Sequence, residues 1–309
     1  MHPCFKKLTN KKPVITILHE FHKPPWGGGN QFLLALKARF EKKGYQVTPK
    51  VNSQARICII NSFNFNPADL QELKDTKACI IHRVDGPVQL VRGKDEHLDN
   101  YIFKVNKIAQ VTVFQSKWSH RQTLRLGFNP INPVIIYNSV NPEIFSQKER
   151  LPFSLNRKIR LVSTSWSDNW LKGFRYYQKI DKQLDFNSYE YTYVGRSPIK
   201  LKHIKMIGPQ NSKQLANILK NHDIYITASQ NEPCSNALLE ALACGLPVLY
   251  LKGSSHKELV KKAGLGFDLK SSLNHLLKKL IRDYNSYQNQ IDIPDIDTIA
   301  DSYLELAKK

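Results

Sequence analysis

The stretch Gln230–Val248, QNEPCSNALLEALACGLPV, leaves little choice of local structure. It follows Asp223–Ser229 (DIYITAS), a mostly apolar run of strand length. Pro233 has no backbone N–H and so belongs at or before a first helical turn. Ser235 or Asn236 caps that turn or lies in it. Ala237–Ala243 consists of strong helix formers, and Gly245 and Pro247 end the run. A strand that turns into a helix in this way points the free N–H groups of the helix start outward at the strand's carboxyl end. That geometry binds anions, phosphate above all. Glu232 and Glu240 bracket the corner. Their spacing is about 80° of rotation and two helical turns, so the two acids reach different parts of one elongated ligand.

Strand, corner and helix recur along the chain, and open α/β sheets bind ligands at the carboxyl ends of their strands. In the first half, Pro13–Phe21 reads as a strand running into HKPPWGGGN. Gly27, Gly28 and Gly29 there permit positive φ and close backbone approach, and a helix follows over Gln31–Lys43. The spacing is not the GxGxxG of a dinucleotide fingerprint. Arg56–Asn61 and Ala78–Ile81 are short apolar strands of parallel-sheet type, with a short helix, Asp69–Lys74, between them. His82-Arg83-Val84-Asp85-Gly86-Pro87 then forms a polar cluster at a strand end. Either Arg83 and Asp85 pair to brace a turn, or His82 and Asp85 face a reacting group. The polar stretch Arg92–Glu96 is expected to be a mobile loop before a helix over Glu96–Ala109. A strand at Gln110–Phe114, a helix capped by Ser116, a strand at Pro133–Tyr137 and the string Asn138–Phe145 complete this half.

The second half opens with the strand Ile159–Ser163 and reaches Lys172-Gly173 within TSWSDNWLKGF. Glu190–Val194 and His203–Ile207 are further strands, leading to Gly195-Arg196 and Gly208-Pro209 respectively. A helix capped by Ser212 runs to Asn221. Leu273–Tyr287 reads as one amphipathic helix and Ile299–Lys309 as the last. Asp295-Ile296-Asp297 is formally a D-x-D, but it precedes that last helix, where Asp297 serves better as an N-cap than as a metal ligand. No metal site is expected: no Cys/His zinc spacing occurs, and no GxSxG elbow supports a serine hydrolase.

Length and charge narrow the function. A chain of 309 residues suggests two domains. Hydrophobic content of 41% is enough for sizeable cores. The net charge of +20, from 46 basic and 26 acidic residues, favours phosphate-rich partners: nucleotides, nucleic acid or an anionic lipid surface. The basic residues are scattered, without an Arg-rich arm, which weakens a dedicated nucleic-acid role. Five cysteines without a CxxC pair fit a reducing compartment. Cys234, at a helix start, could have a lowered pKa. With no apolar run of about 18 residues and no apolar segment in MHPCFKKLTNKK, a cytoplasmic protein is expected.

Taken together, these strings resemble the retaining GT-B glycosyltransferases of the family 4 type. The Glu-x7-Glu motif running into EALACGLPV carries the likeness best, followed in chain order by the Gly triplet, HRVDGP and the Lys-Gly corner. The resemblance implies an α/β GT-B fold with two Rossmann-like domains and a cleft between them. Residues 1–150 would be the acceptor domain and 151–295 the nucleotide-sugar domain, with a terminal helix over 296–309 crossing back to the first domain. It implies transfer of a sugar from a UDP- or GDP-sugar to a hydroxyl of a glycan, lipid-linked or protein acceptor, with retention of anomeric configuration and no cofactor or metal. Glu232 would lie by the donor sugar and Glu240 on the ribose, with Pro233, Cys234, Ser235 and Asn236 at the donor helix start. His82 would contact the donor sugar and Asp85 the acceptor, and the mobile stretch Arg92–Glu96 would be an acceptor loop. Gly27–Gly29 would lie under the phosphates, Lys172 and Gly173 would bind them, and Ile207 and Gly208 would meet the nucleobase. Trp166 stands where the family often has an Arg. Arg175 or Arg196 would substitute for it, or Trp166 would stack on the ligand. Ser139 replaces a Gly in the hinge string.

Three other readings compete. One is a degenerate GT-B module that binds nucleotide sugar or a polyanion without turnover. Another is a basic nucleic-acid binder. The third adds a lipid-docking face formed by Lys37, Arg39, Lys42 and Lys43.

Overall fold

The computed structural model describes residues 12–23, 25–93 and 96–308. The first half contains β1 (Val14–Leu18), α1 (Gly28–Lys42), β2 (Gln46–Thr48), β3 (Ala55–Asn61), α2 (Asp69–Lys74), β4 (Cys79–Val84), α3 (Glu96–Asn106), β5 (Val111–Phe114), α4 (Lys117–Arg125) and β6 (Pro133–Ile135). A single π-helical turn, Gln89–Gly93, lies between β4 and α3. The second half contains β7 (Ile159–Ser165), α5 (Phe174–Gln183), β8 (Tyr189–Gly195), β9 (Lys205–Ile207), α6 (Ser212–Lys220), β10 (Ile224–Thr227), α7 (Asn236–Ala243), β11 (Val248–Leu251), α8 (His256–Val260), β12 (Gly264–Phe267), α9 (Leu273–Arg282), α10 (Tyr284–Asn289) and α11 (Ile296–Leu306).

The strands form two six-stranded sheets, ordered β2-β1-β3-β4-β5-β6 and β12-β11-β10-β7-β8-β9, and every pairing in them is parallel. Parallel strands need both faces covered, which explains their continuous apolar runs such as ICII in β3. In each sheet the strand order reverses once, between β1 and β3 and between β7 and β10. Those reversals open crevices at the strands' carboxyl ends, where α/β proteins bind ligands. Helix α11 belongs by packing to the first half: Ile296, Ile299, Ala300 and Tyr303 share a core with Phe32, Leu36 and Phe40 of α1 and with Ile15 and Ile57 of the sheet. Among the described residues no helix is long and apolar enough to cross a membrane.

Several boundaries differ from the sequence reading for local reasons. The strand expected to end at Ile81 runs on to Val84, because the polar side chains of His82 and Arg83 find buried partners and need not leave the sheet. Helix α1 begins at Gly28 and not after the triplet, so Gly27 is its N-cap at φ −54° and the glycines supply no left-handed turn. Asn211, not Ser212, caps α6, through a capping box with Gln214. Asp295, not Asp297, caps α11 by accepting from the Thr298 N–H. The long helix expected at Leu273–Tyr287 breaks at Asp283 into α9 and α10. Of the Arg92–Glu96 loop, Lys94 and Asp95 lie outside the described residues, whereas Arg92 belongs to the π turn.

The halves meet through polar contacts. The Glu258 carboxylate of α8 accepts from the backbone N–H groups of Lys117 and Trp118 at the start of α4, at 2.8 and 2.7 Å, and from the Tyr137 hydroxyl. A negative charge is favourable at a helix N-terminus. Ser139, the departure in the hinge string, donates to the Pro294 carbonyl beside α11. Deeper in, the fully buried Arg83 guanidinium donates to Asn61, Asp85 and Asn138 at 2.6, 2.8 and 2.9 Å. Asn138 donates in turn to Gln115 and to Asn236 on α7. Arg83→Met leaves these acceptors and Asp85 without their cation, so it should cost about 3–5 kcal/mol of stability in urea unfolding. A loss below about 1 kcal/mol would show that the network does not hold the fold.

Candidate active site

The cleft between the two sheets encloses about 580 Å³. The segments leaving β1, β3, β7 and β10, the four strands beside the two reversals, all contribute to its walls. From β1 comes the Trp26–Gly29 corner, and from β3 comes Phe63. Strand β7 leads through Trp166 to Lys172, and β10 leads to Glu232–Asn236. Topology therefore brings these residues together from positions more than 200 apart in the sequence.

Lys172 and Glu232 form an ion pair on the second-half wall of the cleft. Burial alone would push the Glu232 carboxyl up, but the Lys172 ammonium overrides it and holds the group below its ordinary range. Lys172 ends a short 3₁₀ turn whose N-cap, Asn169, accepts from the Leu171 N–H. Gly173 follows at φ 95°, and a Cβ there would lie 2.4 Å from the Ala228 carbonyl oxygen. Gly173 does not line the cleft; it lets the Lys172 turn sit against the end of β10. Ser235 caps α7 by accepting from the Leu238 N–H, and Asn236 and Ala237 begin the helix on the cleft wall. Gly28 faces this helix start from the other half: a Cβ on it would meet Asn236 Nδ2 at 2.7 Å. Close approach, and not an unusual φ, is what Gly28 provides, whereas a Cβ on Gly29 would meet nothing within 4 Å.

Glu240 also lines the cleft, one turn deeper, and burial pushes its carboxyl up to about 8. Cys234 is buried and its thiol is pushed up to about 12, with burial the main cause. The lowered pKa considered from its place at a helix start is thus overturned, because desolvation outweighs the helix end. Trp166 sits between Trp26 of the first half, 5.4 Å away, and the Arg196 guanidinium, 4.3 Å above its ring. Both Trp166 and Arg196 line the cleft, whereas Arg175 lies exposed on α5 and does not. Asp85 lines the cleft from the first half. Arg83 and Gln115 both donate to its Oδ1, and its Oδ2 accepts from no described side chain.

Besides Gly173, the structure leaves three expected residues out of the cleft. His82 is fully buried inside β4: Nε2 donates to the Ser62 carbonyl at 3.0 Å, and Nδ1 accepts from Asn106 at 3.2 Å. Burial lowers its pKa to about 4. Its place is behind the wall, where it holds Ser62 at φ 50° just ahead of Phe63. Ile207 packs on the second-half core, and Gly208 stops short of the site; the next two residues, Pro209 and Gln210, line it. Phe63, Gln115 and Ser212 are cleft residues that the sequence reading missed, and Arg92, expected within a mobile loop, lines the cleft from the π turn. No local motif marks them, since strand order alone makes them neighbours. The basic face expected on α1 is largely neutralised: Lys37 pairs with Glu41, Arg39 lies near Glu143 and Asp297, and Lys43 pairs with Asp301.

Comparison with known proteins agrees with this arrangement. Residues 199–293 match the family model of glycosyl transferases group 1, a span that contains Glu232 and Glu240 but not Lys172 or the first half. The architecture is the GT-B fold. Sucrose-phosphate synthase from Thermosynechococcus elongatus superposes with a TM-score of 0.70 at 13% identity, over 96% of this chain and 94% of that one. Anabaena HepE, solved in complex with UDP-glucose, gives 0.70 at 13% identity over 96% and 99%. In sequence, the GtfA subunit of the Streptococcus parasanguinis UDP-N-acetylglucosamine–peptide N-acetylglucosaminyltransferase is 29% identical over 129 residues. That match takes in 37% of this chain and 26% of the relative, so it spans about a quarter of the relative's length.

Two measurements test the site. The folded state holds the Glu240 proton more tightly than the unfolded chain does, whose reference value is 4.5. This carboxyl therefore destabilises the fold progressively as pH rises from about 4.5 to 8. Glu240→Gln should be the more stable protein at pH 8, by on the order of a few kcal/mol, and nearly equal to the parent at pH 4.5. Equal stability at both pH values would refute the burial effect. Gly28→Ala should keep the melting temperature within a few degrees while weakening any ligand at the α7 start by about tenfold or more, read by titration calorimetry.

Proposed function

We propose that this chain is a retaining glycosyltransferase that moves a sugar from a nucleoside diphosphate sugar, with UDP the first candidate base, to an acceptor hydroxyl. One observation carries the reading: the Lys172–Glu232 pair and the start of α7 lie at the β7/β10 reversal, directly across one cleft from the Gly27–Gly29 helix start. The GT-B fold, the group 1 segment and the UDP-glucose held by HepE support it.

Each group then has work suited to its chemistry. The Lys172 ammonium and the backbone N–H groups opening α7 meet the diphosphate, with Arg196 held beside them on Trp166. Glu240 receives ribose hydroxyls, and Glu232 the donor sugar. Asp85 Oδ2 accepts a hydrogen bond from a second hydroxyl of the acceptor and so positions the one that reacts. As the anomeric C–O bond to phosphate breaks, the acceptor oxygen bonds to that carbon on the same face, and its proton passes to the departing phosphate. The protein's main contribution is stabilisation of charge on that phosphate by groups already in place. Catalysis in the cytoplasm and use of a glycan, lipid-linked or protein acceptor belong to the same proposal.

A melting-temperature panel of UDP-, GDP-, ADP- and dTDP-sugars tests the donor site. A true donor at 100 times its dissociation constant should add about 2.7 kcal/mol of stability. Lys172→Ala should then cut donor turnover by about 100-fold or more, and Glu232→Gln should impair it with the fold kept. No stabilisation by any member would overturn the reading. Stabilisation without transfer to any acceptor would leave a binding module in its place.

A further inference from the structure

We propose that the acceptor is anionic, carrying a carboxylate or phosphate close to the hydroxyl that is glycosylated, and that Arg92 reads that charge. The inference rests on the glycosyltransferase reading above and names the acceptor class for the same cleft.

The cations around the cleft differ in how they are compensated. Lys172 is paired with Glu232, and the buried Arg83 with Asp85. Arg196 stands on the donor side against Trp166. Arg92 is the cation of the acceptor wall, and it has no ion pair among the described residues. Its exposed guanidinium lies 5.0 Å from the centre of the Phe63 ring. Stacking fixes the plane of a guanidinium and leaves its N–H edge free for two parallel hydrogen bonds to a carboxylate or phosphate.

Arg92 is also held in place from the donor half. Asn169 Nδ2 donates to the Arg92 carbonyl at 3.0 Å, and Asn231 Nδ2 donates to the Leu90 carbonyl at 3.0 Å. Asn169 caps the turn that ends in Lys172, and Asn231 precedes Glu232 at φ 54°. The π turn Gln89–Gly93 is thus tied to the two short segments that carry the donor-side ion pair. Phe63, under the guanidinium, follows the Ser62 turn that His82 holds. An exposed arginine set by a ring below and by two cross-cleft hydrogen bonds is placed relative to the transferred sugar. A neutral acceptor would leave that placement unused. Asp85, whose charge is already met by Arg83, remains available for a second acceptor hydroxyl.

The test uses the whole chain saturated with UDP, so that the donor phosphate site is filled. Glucose, glucuronic acid, glucose 6-phosphate and glucose 1-phosphate are titrated by calorimetry, the last three separating carboxylate from phosphate and one phosphate position from another. At least one anionic sugar is expected to bind about tenfold or more tightly than glucose. Arg92→Ala should abolish that preference and leave UDP affinity unchanged, with Arg92→Lys restoring part of it. No preference for any anionic sugar, or a preference that survives Arg92→Ala, would overturn the proposal. Failure of UDP itself to bind the unaltered chain would overturn the donor reading beneath it, and is seen in the first titration.

Discussion

A buried guanidinium is tolerated only where most of its N–H groups find acceptors, and Arg83, whose two terminal nitrogens are met while its Nε is not, is the place in this protein where that requirement is most demanding. Its partners come from β3 (Asn61), from the turn after β4 (Asp85) and from the hinge string (Asn138). Asn138 extends the network to Asn236, the first residue of α7. A charge that would cost several kcal/mol if left unpaired thus ties the first sheet, the hinge and the donor helix into one arrangement. The cleft inherits its geometry from that constraint. Asp85 is presented with one oxygen occupied, and Asn236 is held where Gly28 can come against it.

The two sheets supply the remainder by topology. Each reverses strand order once, and the segments after the four strands at those reversals carry Gly28, Phe63, Lys172 and Glu232. Two anion-favouring helix starts, α1 and α7, face each other across the cleft. Between them Lys172 lies with Glu232 and Arg83 with Asp85, burial drives Glu240 toward its neutral form, and Arg92 and Arg196 are lining cations without an ion pair among the described residues. On the proposed function, a diphosphate would meet groups that are already oriented.

Much of this was legible in the residues. The corner at Gln230–Val248 specified its strand, cap and helix closely, because Pro233, Ser235 and Gly245 each allow few backbone conformations. The α/β alternation and two sheets followed from apolar runs and turn chemistry. What misled was the polarity of HRVDGP. A His and an Arg in sequence mark a strand end by default, and only the tertiary structure shows that Ser62, Asn106, Asn61 and Asn138 are there to receive them. The same limit hid Phe63 and Gln115, which have no motif of their own.

By itself, then, the sequence determined what is local: which segments are strands and helices, where a helix start opens toward an anion, and which acids bracket it. Tertiary structure decided what depends on neighbours distant along the chain. It placed His82 behind the wall, set Gly28 close against Asn236 and paired the basic face of α1 with Glu41, Glu143, Asp297 and Asp301. It also raised the Glu240 and Cys234 pKa values by burial. The reason is physical: backbone preference acts over a few residues, whereas desolvation and charge pairing depend on what the fold brings within a few ångströms.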